Sequence, residues 1–370
     1  MATTSSGLTA PGQLAPREGP LAARRVVVMI ATPLEAELVA LIEDTDNRLD
    51  VRYQPDLLPP ARFPCDHRGI GAFRRTDEQD ARWQAMLAHA EVLFGLPGDA
   101  AQGLADVVRA NAALRWVQAT PGGAGEQVRA AALTEQELAR VTVTSASGVH
   151  AGPLAEFAMF GLLAFTRGLP RLLAGTRARR WEHYPVAELA GRTLLVIGLG
   201  SVGREVARLA TAFGMHVIAI NRTGRAEVAG VEEVRPSRFL ADLLPVAHAV
   251  VVTLPLTEQT RALIDAAAIS RMRTGAVLVN VGRGGVVDEQ ALIQALQDGR
   301  LAGAALDVFA TEPLPAGSPL WRLPNVLISP HTAALSVHEN ERIVALFTEN
   351  LRRYLRGDQM LSLVHPTRLY

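Results

Sequence analysis

Residues 192–225 constrain the fold of this chain more than any other stretch. Residues 192–197 form a short apolar run typical of a buried parallel strand, which leads directly into Gly198-Leu-Gly-Ser-Val-Gly203. A helical pattern follows, Gly214 ends it, and residues 215–220 form the next apolar run. One face of the helix contains Val202, Val206, Leu209, Ala210 and Phe213. This order predicts strand, glycine turn, helix and strand, the unit of a doubly wound parallel sheet.

The three glycines of this turn have separate mechanical roles. Gly198 permits a tight turn, Gly200 lets the backbone approach a pyrophosphate closely, and Gly203 lets the helix pack against the strand. The first N–H groups of the helix then face the anion. A glycine motif can also form a turn without a ligand, or the nucleotide site of a methyltransferase. Because this motif follows a strand and opens a helix, the dinucleotide interpretation is favoured.

Composition excludes several other classes of protein. The 37 basic and 37 acidic residues cancel, so no net field favours nucleic acid or an anionic membrane as a partner. The chain contains no lysine, which excludes a Schiff-base lysine and a Walker P-loop. Cys65 is the only cysteine, which excludes an internal disulfide and a cysteine-rich zinc site. We therefore expect a cytoplasmic protein with no metal, and no apolar stretch predicts a membrane span.

The order of the predicted elements indicates two domains in this chain of 370 residues. Residues 25–147 alternate strands with helices, and residues 148–335 do so around the glycine turn, with about five or six parallel strands. A helix from about residue 336 returns to the first domain, so residues 336–370 belong with it. The fold class is α/β: two doubly wound parallel-sheet domains, a Rossmann-type cofactor domain inserted into a smaller flavodoxin-like substrate domain. Residues 1–24 are predicted to be a disordered tail.

Some segments carry predictions of their own. Thr32 and Pro33 predict the start of a helix after the first strand. Residues 54–78 predict a long loop, in which Cys65-Asp-His67 lacks partners at metal-ligand spacing. Residues 151–167 predict a helix that is apolar almost all round, which we expect to bridge the domains and to contribute to a homodimer. Residues 171–190, rich in arginine, predict an arm that precedes the first cofactor strand.

Three ionisable residues follow three successive strands of the cofactor domain, at the edge where ligands bind in such sheets. Arg283, Glu312 and His331 could each be an ordinary surface or loop residue. Together they form a set with complementary roles. Arginine binds a carboxylate through two parallel hydrogen bonds, histidine is the usual proton donor near neutral pH, and a carboxylate fixes the tautomer of the histidine.

These residues lie in stretches that resemble the D-isomer-specific 2-hydroxyacid dehydrogenase family, and its glyoxylate/hydroxypyruvate reductases in particular. The resemblance covers the cofactor domain in residues 196–203, 253–257, 280–284, 306–313 and 329–333, and it extends to residues 116–120 and 147–150. It implies that His331 is the acid/base, Glu312 its partner and Arg283 the substrate anchor. It also implies that Asp307 helps to hold the nicotinamide carboxamide.

The resemblance further implies the contacts of cofactor and substrate. The implied cofactor-binding residues are Gly198, Gly200, Ser201, Val202, Gly203, Asn221, Arg222, Thr223, Arg225, Leu254, Pro255, Thr260, Val281, Gly282, Asp307 and Ala333. The turn of Gly122, Gly123, Ala124 and Gly125 matches the place where the family binds the substrate carboxylate through backbone N–H groups. Taken alone, such a turn could also be free of any ligand.

The identity of the nicotinamide cofactor follows from the end of the second strand. Enzymes that use NAD place an acidic residue about 20 residues after the glycines, where it binds the ribose 2′-OH. Asn221, 18 residues after Gly203, stands in that place, and Arg222, Thr223 and Arg225 follow. Guanidinium groups would bind a 2′-phosphate, so we predict a preference for NADP(H), with NAD(H) possible. The alternative is that these arginines are solvated turn residues.

The predicted reaction is hydride transfer between NADP(H) and a small 2-oxo acid or D-2-hydroxy acid, in the reducing direction. One alternative is an NAD-linked dehydrogenase of another small acid, of the phosphoglycerate or formate type. Another is a dehydrogenase-like protein that senses nucleotides, such as a transcriptional corepressor. The presence of Arg283, Glu312 and His331 argues for an enzyme.

Overall fold

The computed structural model describes residues 24–365, which form two compact units. The first unit runs to Val149 and resumes at Ser336, and the second is His150–Leu335. The predicted tail at residues 1–24 lies outside the described residues except for Arg24. The predicted domain boundaries at residues 147/148 and 335/336 stay a prediction.

The first unit is a five-stranded parallel sheet covered by helices. Its strands are β1 (Val26–Ile30), β2 (Leu49–Arg52), β3 (Val92–Phe94), β4 (Trp116–Gln118) and β5 (Thr142–Thr144), in the order β2-β1-β3-β4-β5. Its helices are α1 (Ala36–Glu43), α2 (Asp77–His89), α3 (Ala101–Ala110), α4 (Gly125–Ala130), α5 (Glu135–Arg140) and, near the end of the chain, α12 (Glu339–Arg356). Phe347 of α12 packs on Phe94 and Trp116, with ring centroids 4.9 and 5.0 Å apart. The returning helix therefore completes the core of this unit.

The second unit is a seven-stranded parallel sheet. Its strands are β6 (Thr193–Ile197), β7 (His216–Asn221), β8 (Val231–Pro236), β9 (Ala249–Val252), β10 (Ala276–Asn280), β11 (Leu301–Leu306) and β12 (Val326–Ile328). They lie in the order β12-β11-β10-β9-β6-β7-β8. Its helices are α6 (Ala151–Thr166), α7 (Leu169–Arg177), α8 (Ser201–Ala212), α9 (Leu240–Leu243), α10 (Ala266–Arg271) and α11 (Glu289–Gln297). Both predicted doubly wound sheets are therefore confirmed.

Several predicted details of these elements were wrong. The sheet of the second unit contains seven strands rather than five or six, because β8, an edge strand, has no apolar run in its sequence. Helix α1 begins at Ala36, so Pro33 lies before it and not at its first position. Phe213 does not belong to the buried face of α8. It follows the last helical residue and is 44% exposed, whereas Val206 and Ala210 are fully buried.

Helix α6 packs against the second sheet along one face. Gly161 on this face is so close to β11 that a Cβ added there would lie 2.5 Å from the Cβ of Ala305. Phe160, on the same helix, is 51% exposed. Within residues 24–365, no single helix is long and apolar enough to span a membrane; α6 and α7 pass that test only as a pair bent by 63°.

Candidate active site

The three predicted catalytic residues lie in loops that follow three adjacent strands. Arg283 follows β10, Glu312 follows β11 and His331 follows β12, and β10, β11 and β12 are neighbours in the sheet. Parallel strands end at the same edge, so the topology brings these loops together.

His331 and Glu312 form a direct contact. The ring nitrogen Nδ1 of His331 lies 2.7 Å from Oε2 of Glu312, and Oε1 of the same carboxylate accepts a hydrogen bond of 3.0 Å from the N–H of Phe309. Both side chains are accessible, with 46% of His331 and 36% of Glu312 exposed. A carboxylate at Nδ1 holds the proton on that nitrogen, which leaves Nε2 as the atom for proton transfer.

Asp307 holds the loop that carries His331. It is 1% exposed, and its Oδ1 accepts hydrogen bonds from the hydroxyl of Ser329 at 2.6 Å and from the N–H groups of Thr332 and Ala333 at 2.9 Å each. The N–H of His331 donates to the carbonyl of Asp307 at 3.0 Å. Sequence reasoning missed this structural role; its only signal was an aspartate at the end of an apolar strand beside a Ser-Pro-His segment.

Arg283 projects from a loop that packs tightly on its neighbours. A Cβ added to Gly284 would lie 1.9 Å from the carbonyl oxygen of Phe309, and one added to Gly282 would lie 2.5 Å from that of Leu254. The first contact joins the loop of Arg283 to the loop that carries Glu312. The side chain of Asn280 accepts from the N–H of Gly282 and donates to the carbonyl of Arg283. These contacts fix the backbone from which the guanidinium projects.

The glycine turn fits a dinucleotide pyrophosphate. Gly198 has φ +104°, which favours glycine, and a Cβ on Gly203 would lie 1.9 Å from the carbonyl oxygen of Gly198. A Cβ on Gly200 would meet nothing within 4 Å, so the backbone there is open to a ligand. Ser201 and Val202 begin α8, which follows at once. Gly198 therefore forms the tight turn, Gly200 leaves the backbone open to a ligand, and Gly203 lets the helix pack closely.

Thr253 is a further residue of this turn, and sequence reasoning gave it no role. It follows β9, and its hydroxyl donates to the carbonyl of Gly198 at 2.8 Å. Leu254 packs beside the same glycine, and the hydroxyl of Thr260 donates to the carbonyl of Pro255 at 2.7 Å. Val281, another predicted cofactor residue, is buried at the end of β10. These predicted cofactor residues therefore lie at the edge of the sheet where the glycine turn lies.

The segment after β7 is a turn organised by Asn221. Its Oδ1 accepts from the N–H groups of Thr223 at 3.0 Å and Gly224 at 2.6 Å, and its Nδ2 donates to the carbonyl of Arg225 at 3.0 Å. The side chains of Arg222 and Arg225 are exposed. Asn221 therefore shapes the turn through its amide, and no carboxylate stands where an NAD enzyme has one.

The predicted carboxylate turn lies in the first unit, between β4 and α4. The carbonyl of Pro121 accepts from the N–H of Ala146, and that of Gly123 accepts from the N–H of Glu126. Within the described chain, no backbone carbonyl accepts from the N–H groups of Gly122, Gly123 or Ala124. Adjacent N–H groups of this kind can bind a small anion.

Comparison with known proteins agrees with this geometry. The profile of the D-isomer specific 2-hydroxyacid dehydrogenase NAD binding domain matches residues 159–333. An (S)-sulfolactate dehydrogenase from Chromohalobacter salexigens is 38% identical over 221 residues, which cover 58% of this chain and 70% of that protein. A glyoxylate reductase from Korarchaeum cryptofilum is 37% identical over 234 residues, which cover 61% and 69%.

A solved structure extends the likeness to the whole fold. The D-isomer specific 2-hydroxyacid dehydrogenase from Xanthobacter autotrophicus Py2, in complex with NADPH and MES, is 29% identical with a TM-score of 0.73. The match covers 94% of this chain and all of that one, 100%. The order of the strands, the glycine turn, the contact between His331 and Glu312 and the likeness to these proteins all indicate the same family. The chain therefore belongs to the D-isomer specific 2-hydroxyacid dehydrogenase family, whose members are NAD(P)-dependent oxidoreductases that act on CH–OH groups.

Proposed function

We propose that this protein is an NADPH-dependent reductase of a small 2-oxo acid, with His331 as the proton donor. The observation that carries the proposal is the 2.7 Å contact between Nδ1 of His331 and Glu312. It supports an imidazole whose second nitrogen exchanges a proton with a substrate oxygen.

Each residue of the candidate site has its own role in the reaction. The nicotinamide, when bound, supplies the hydride to the keto carbon. Protonated His331 donates a proton from Nε2 to the keto oxygen, and Glu312 stabilises the positive imidazolium and holds its orientation. Arg283 binds the substrate carboxylate. In the first unit, the N–H groups of residues 122–125 offer hydrogen-bond donors to a carboxylate. In the reverse direction neutral His331 accepts the proton of a D-2-hydroxy acid.

The preference for NADP(H) rests on the turn after β7. Arg222 and Arg225 are exposed on either side of Thr223, and each offers a guanidinium to a 2′-phosphate. Asn221 in place of an acid removes the negative charge that would repel that phosphate. The cofactor-bound relative from Xanthobacter holds NADPH, which supports the same preference.

A homodimer is the assembly we propose. The helix α6 and the segment after it expose large apolar side chains: Phe160 at 51%, Leu172 at 49%, Leu173 at 46% and Trp181 at 91%. Exposed apolar surface of this kind typically marks a contact with another chain. Light scattering after gel filtration should therefore give twice the chain mass of 39.6 kDa. We also propose a cytoplasmic location, because a single cysteine suits a reducing compartment.

The test is loss of nicotinamide absorbance with NADPH and with NADH, against glyoxylate, pyruvate and hydroxypyruvate. We expect faster oxidation of NADPH, with turnover abolished in His331→Ala and NADPH preference lost in Arg222→Asp. Arg208→Ser is the matched control for the second variant, because Arg208 pairs with Glu205 on the exposed face of α8. Turnover with NADH alone would overturn the cofactor assignment. Tight cofactor binding without any turnover would favour the nucleotide sensor.

A further inference from the structure

A row of basic residues lies at the edge of the second sheet that is opposite the candidate active site. Five neighbouring strands, β11, β10, β9, β6 and β7, run parallel, so their first residues meet at one edge. Each strand begins at a basic residue or within three residues after one. In their order along the edge, these residues are Arg300, Arg273, His248, Arg192 and His216. We name these five residues the basic edge, and the proposed reaction uses none of them.

Backbone hydrogen bonds hold the middle of the basic edge together. The N–H of His248 donates to the carbonyl of Thr193 at 2.9 Å, directly after Arg192, and the N–H of Val277 on β10 donates to the carbonyl of His248 at 3.2 Å. Neighbouring strands lie about 4.8 Å apart, so the strands that follow Arg192 and Arg273 are about 10 Å apart. The strand that follows His248 lies between them.

A backbone contact defines the tautomer of His248. Its Nδ1 accepts a hydrogen bond of 3.0 Å from the N–H of Thr193. An accepting Nδ1 carries no proton, so the neutral ring has its proton on Nε2. Ala247 and Ala249, on either side of the histidine, are buried, which fixes its backbone. Among residues 24–365 the Nε2 atom has no hydrogen-bond partner, and it is not buried, so its N–H is available to a ligand.

Two guanidinium groups lie near this N–H. Burial lowers the pKa of His248, and the positive charges of Arg273 and Arg192 lower that pKa further, so both guanidiniums are close to the ring. Arg273 is exposed and Arg192 is partly exposed. In the part of the chain that the structure describes, neither of the two arginine side chains forms a hydrogen bond or an ion pair. Their donors are therefore available to an anion, as is that of the imidazole.

The two outer residues of the basic edge already have partners. Arg300 donates to three backbone carbonyls within residues 269–272 and thereby caps the C-terminal end of α10. At the other end, Nδ1 of His216 lies 2.7 Å from a carboxylate oxygen of Glu232 on β8. The part of the basic edge that is open to a ligand is therefore confined to its three central residues.

We propose that Arg192, His248 and Arg273 form a binding site for one phosphate group. Its oxygens accept the Nε2–H of His248 and hydrogen bonds from the two guanidiniums, whose charges also neutralise the anion. A nucleic acid is a poorer fit, because its specific binding uses about 6–10 phosphate contacts and the open part of the basic edge has three residues.

This phosphate site is separate from the candidate active site. Strand β10 joins the two: Arg273 precedes this strand and Arg283 follows it. A strand of five residues spans about 17 Å, so a phosphate at Arg273 does not reach the residues of the proposed reaction. The glycine turn follows β6 and lies at the far edge as well. The inference therefore does not depend on the proposed function.

Isothermal titration calorimetry of the full chain tests this site, with NADPH or NADH present to fill the cofactor site. The probes are inorganic phosphate and glycerol 2-phosphate, a phosphate monoester, with sodium chloride at equal ionic strength as the control. We expect one phosphate per chain with a Kd of about 1 mM or lower, and no saturable binding of chloride. Tighter binding of the ester would identify a phosphorylated small molecule as the ligand, and tighter binding of inorganic phosphate would identify the free ion. Both results would support the site.

Substitutions then locate the bound phosphate. Arg192→Gln and Arg273→Gln should each weaken phosphate binding about tenfold or more, since each removes a charge and its hydrogen bonds. His248→Asn should do the same, because an asparagine keeps an acceptor for the N–H of Thr193 but lacks Nε2.

Arg208→Gln is the control, because Arg208 pairs with Glu205 on the exposed face of α8. Its affinity for phosphate should match that of the wild type. Absence of phosphate binding would overturn the site, and so would binding that Arg192→Gln and Arg273→Gln both leave unchanged. If a single-stranded DNA of about 12 nucleotides binds and phosphate does not, the basic edge is a nucleic-acid surface and the proposal fails.

Discussion

Replacement of Glu312 by glutamine tests the proton donor through the separate rates of reduction and oxidation. Glu312 uses both carboxylate oxygens, Oε2 towards His331 at 2.7 Å and Oε1 towards the N–H of Phe309 at 3.0 Å. Glutamine has one acceptor oxygen. If that oxygen keeps the backbone hydrogen bond, the amide NH₂ faces Nδ1 of His331, where it repels the N–H of an imidazolium. The substitution thus disfavours the protonated form that reduction requires.

The magnitude follows from the contact and its exposure. A hydrogen bond to a charged group contributes about 1.5–3 kcal/mol. Because 46% of His331 and 36% of Glu312 are exposed, solvent screening places this contact at the lower end, about 1.5 kcal/mol. That corresponds to about tenfold in rate. We therefore expect the kcat of reduction to be about tenfold lower in Glu312→Gln than in the wild type.

The expected effect on kcat differs between the two directions of the reaction. Reduction needs protonated His331, so the kcat of reduction should fall about tenfold in Glu312→Gln. Oxidation needs the neutral imidazole, so the kcat of oxidation should be spared. Steady-state kcat measured in both directions provides the comparison.

The matched control is Glu289→Gln. Glu289 accepts from the N–H of Ala310 at 3.0 Å, in the loop that carries Glu312. Glutamine retains that acceptor, so kcat should change in neither direction. If Glu312→Gln lowers kcat equally in both directions, or if both variants lower it alike, the assignment of Glu312 as the partner of His331 is refuted.

Three further outcomes are expected. Asn221→Asp should raise KM for NADPH about tenfold and lower KM for NADH, because the added carboxylate repels a 2′-phosphate and accepts a hydrogen bond from a ribose 2′-OH; initial rates with both cofactors measure this. Gly203→Ala should lower the melting temperature by many degrees, since its Cβ would lie 1.9 Å from a carbonyl oxygen. Gly200→Ala should keep the melting temperature, because its Cβ would meet nothing within 4 Å, but it should weaken cofactor binding. Burial raises the pKa of the Cys65 thiol, so iodoacetamide should label the native protein at pH 8 far more slowly than the protein in urea.

Predictions from sequence succeeded where a residue acts through local sterics. The glycines of the cofactor turn are needed because of contacts with residues a few positions away in the chain. The pattern of apolar runs indicates that this turn follows a strand. Arg283, Glu312 and His331 could be placed together because parallel strands end at a common edge. The His331–Glu312 contact spans 19 residues, yet topology alone brings its two loops close.

Other features depend on contacts that no local pattern contains. His67 stands in a loop of polar residues, and its ring is held by a contact with Thr32, which lies 35 residues earlier in the chain. Strand β8 was missed because its sequence has no apolar run: Glu232 and Arg235 are exposed and none of its residues is fully buried, as its place at the edge of the sheet permits. Phe213 was misplaced because helical periodicity continued one residue past the point where α8 ends.

In both units, a buried polar residue at the end of a strand holds a histidine in place. An imidazole that transfers protons must be accessible, so burial alone cannot fix the position of His331, which is 46% exposed. His331 has φ +53°, a backbone conformation that costs about 1–3 kcal/mol outside glycine. Buried Asp307 offsets that cost through three hydrogen bonds to one carboxylate oxygen. Thr32, which is 1% exposed, anchors His67 in the same manner through its hydroxyl. In each unit a short polar residue buried at the end of a strand therefore defines where a titratable ring stands.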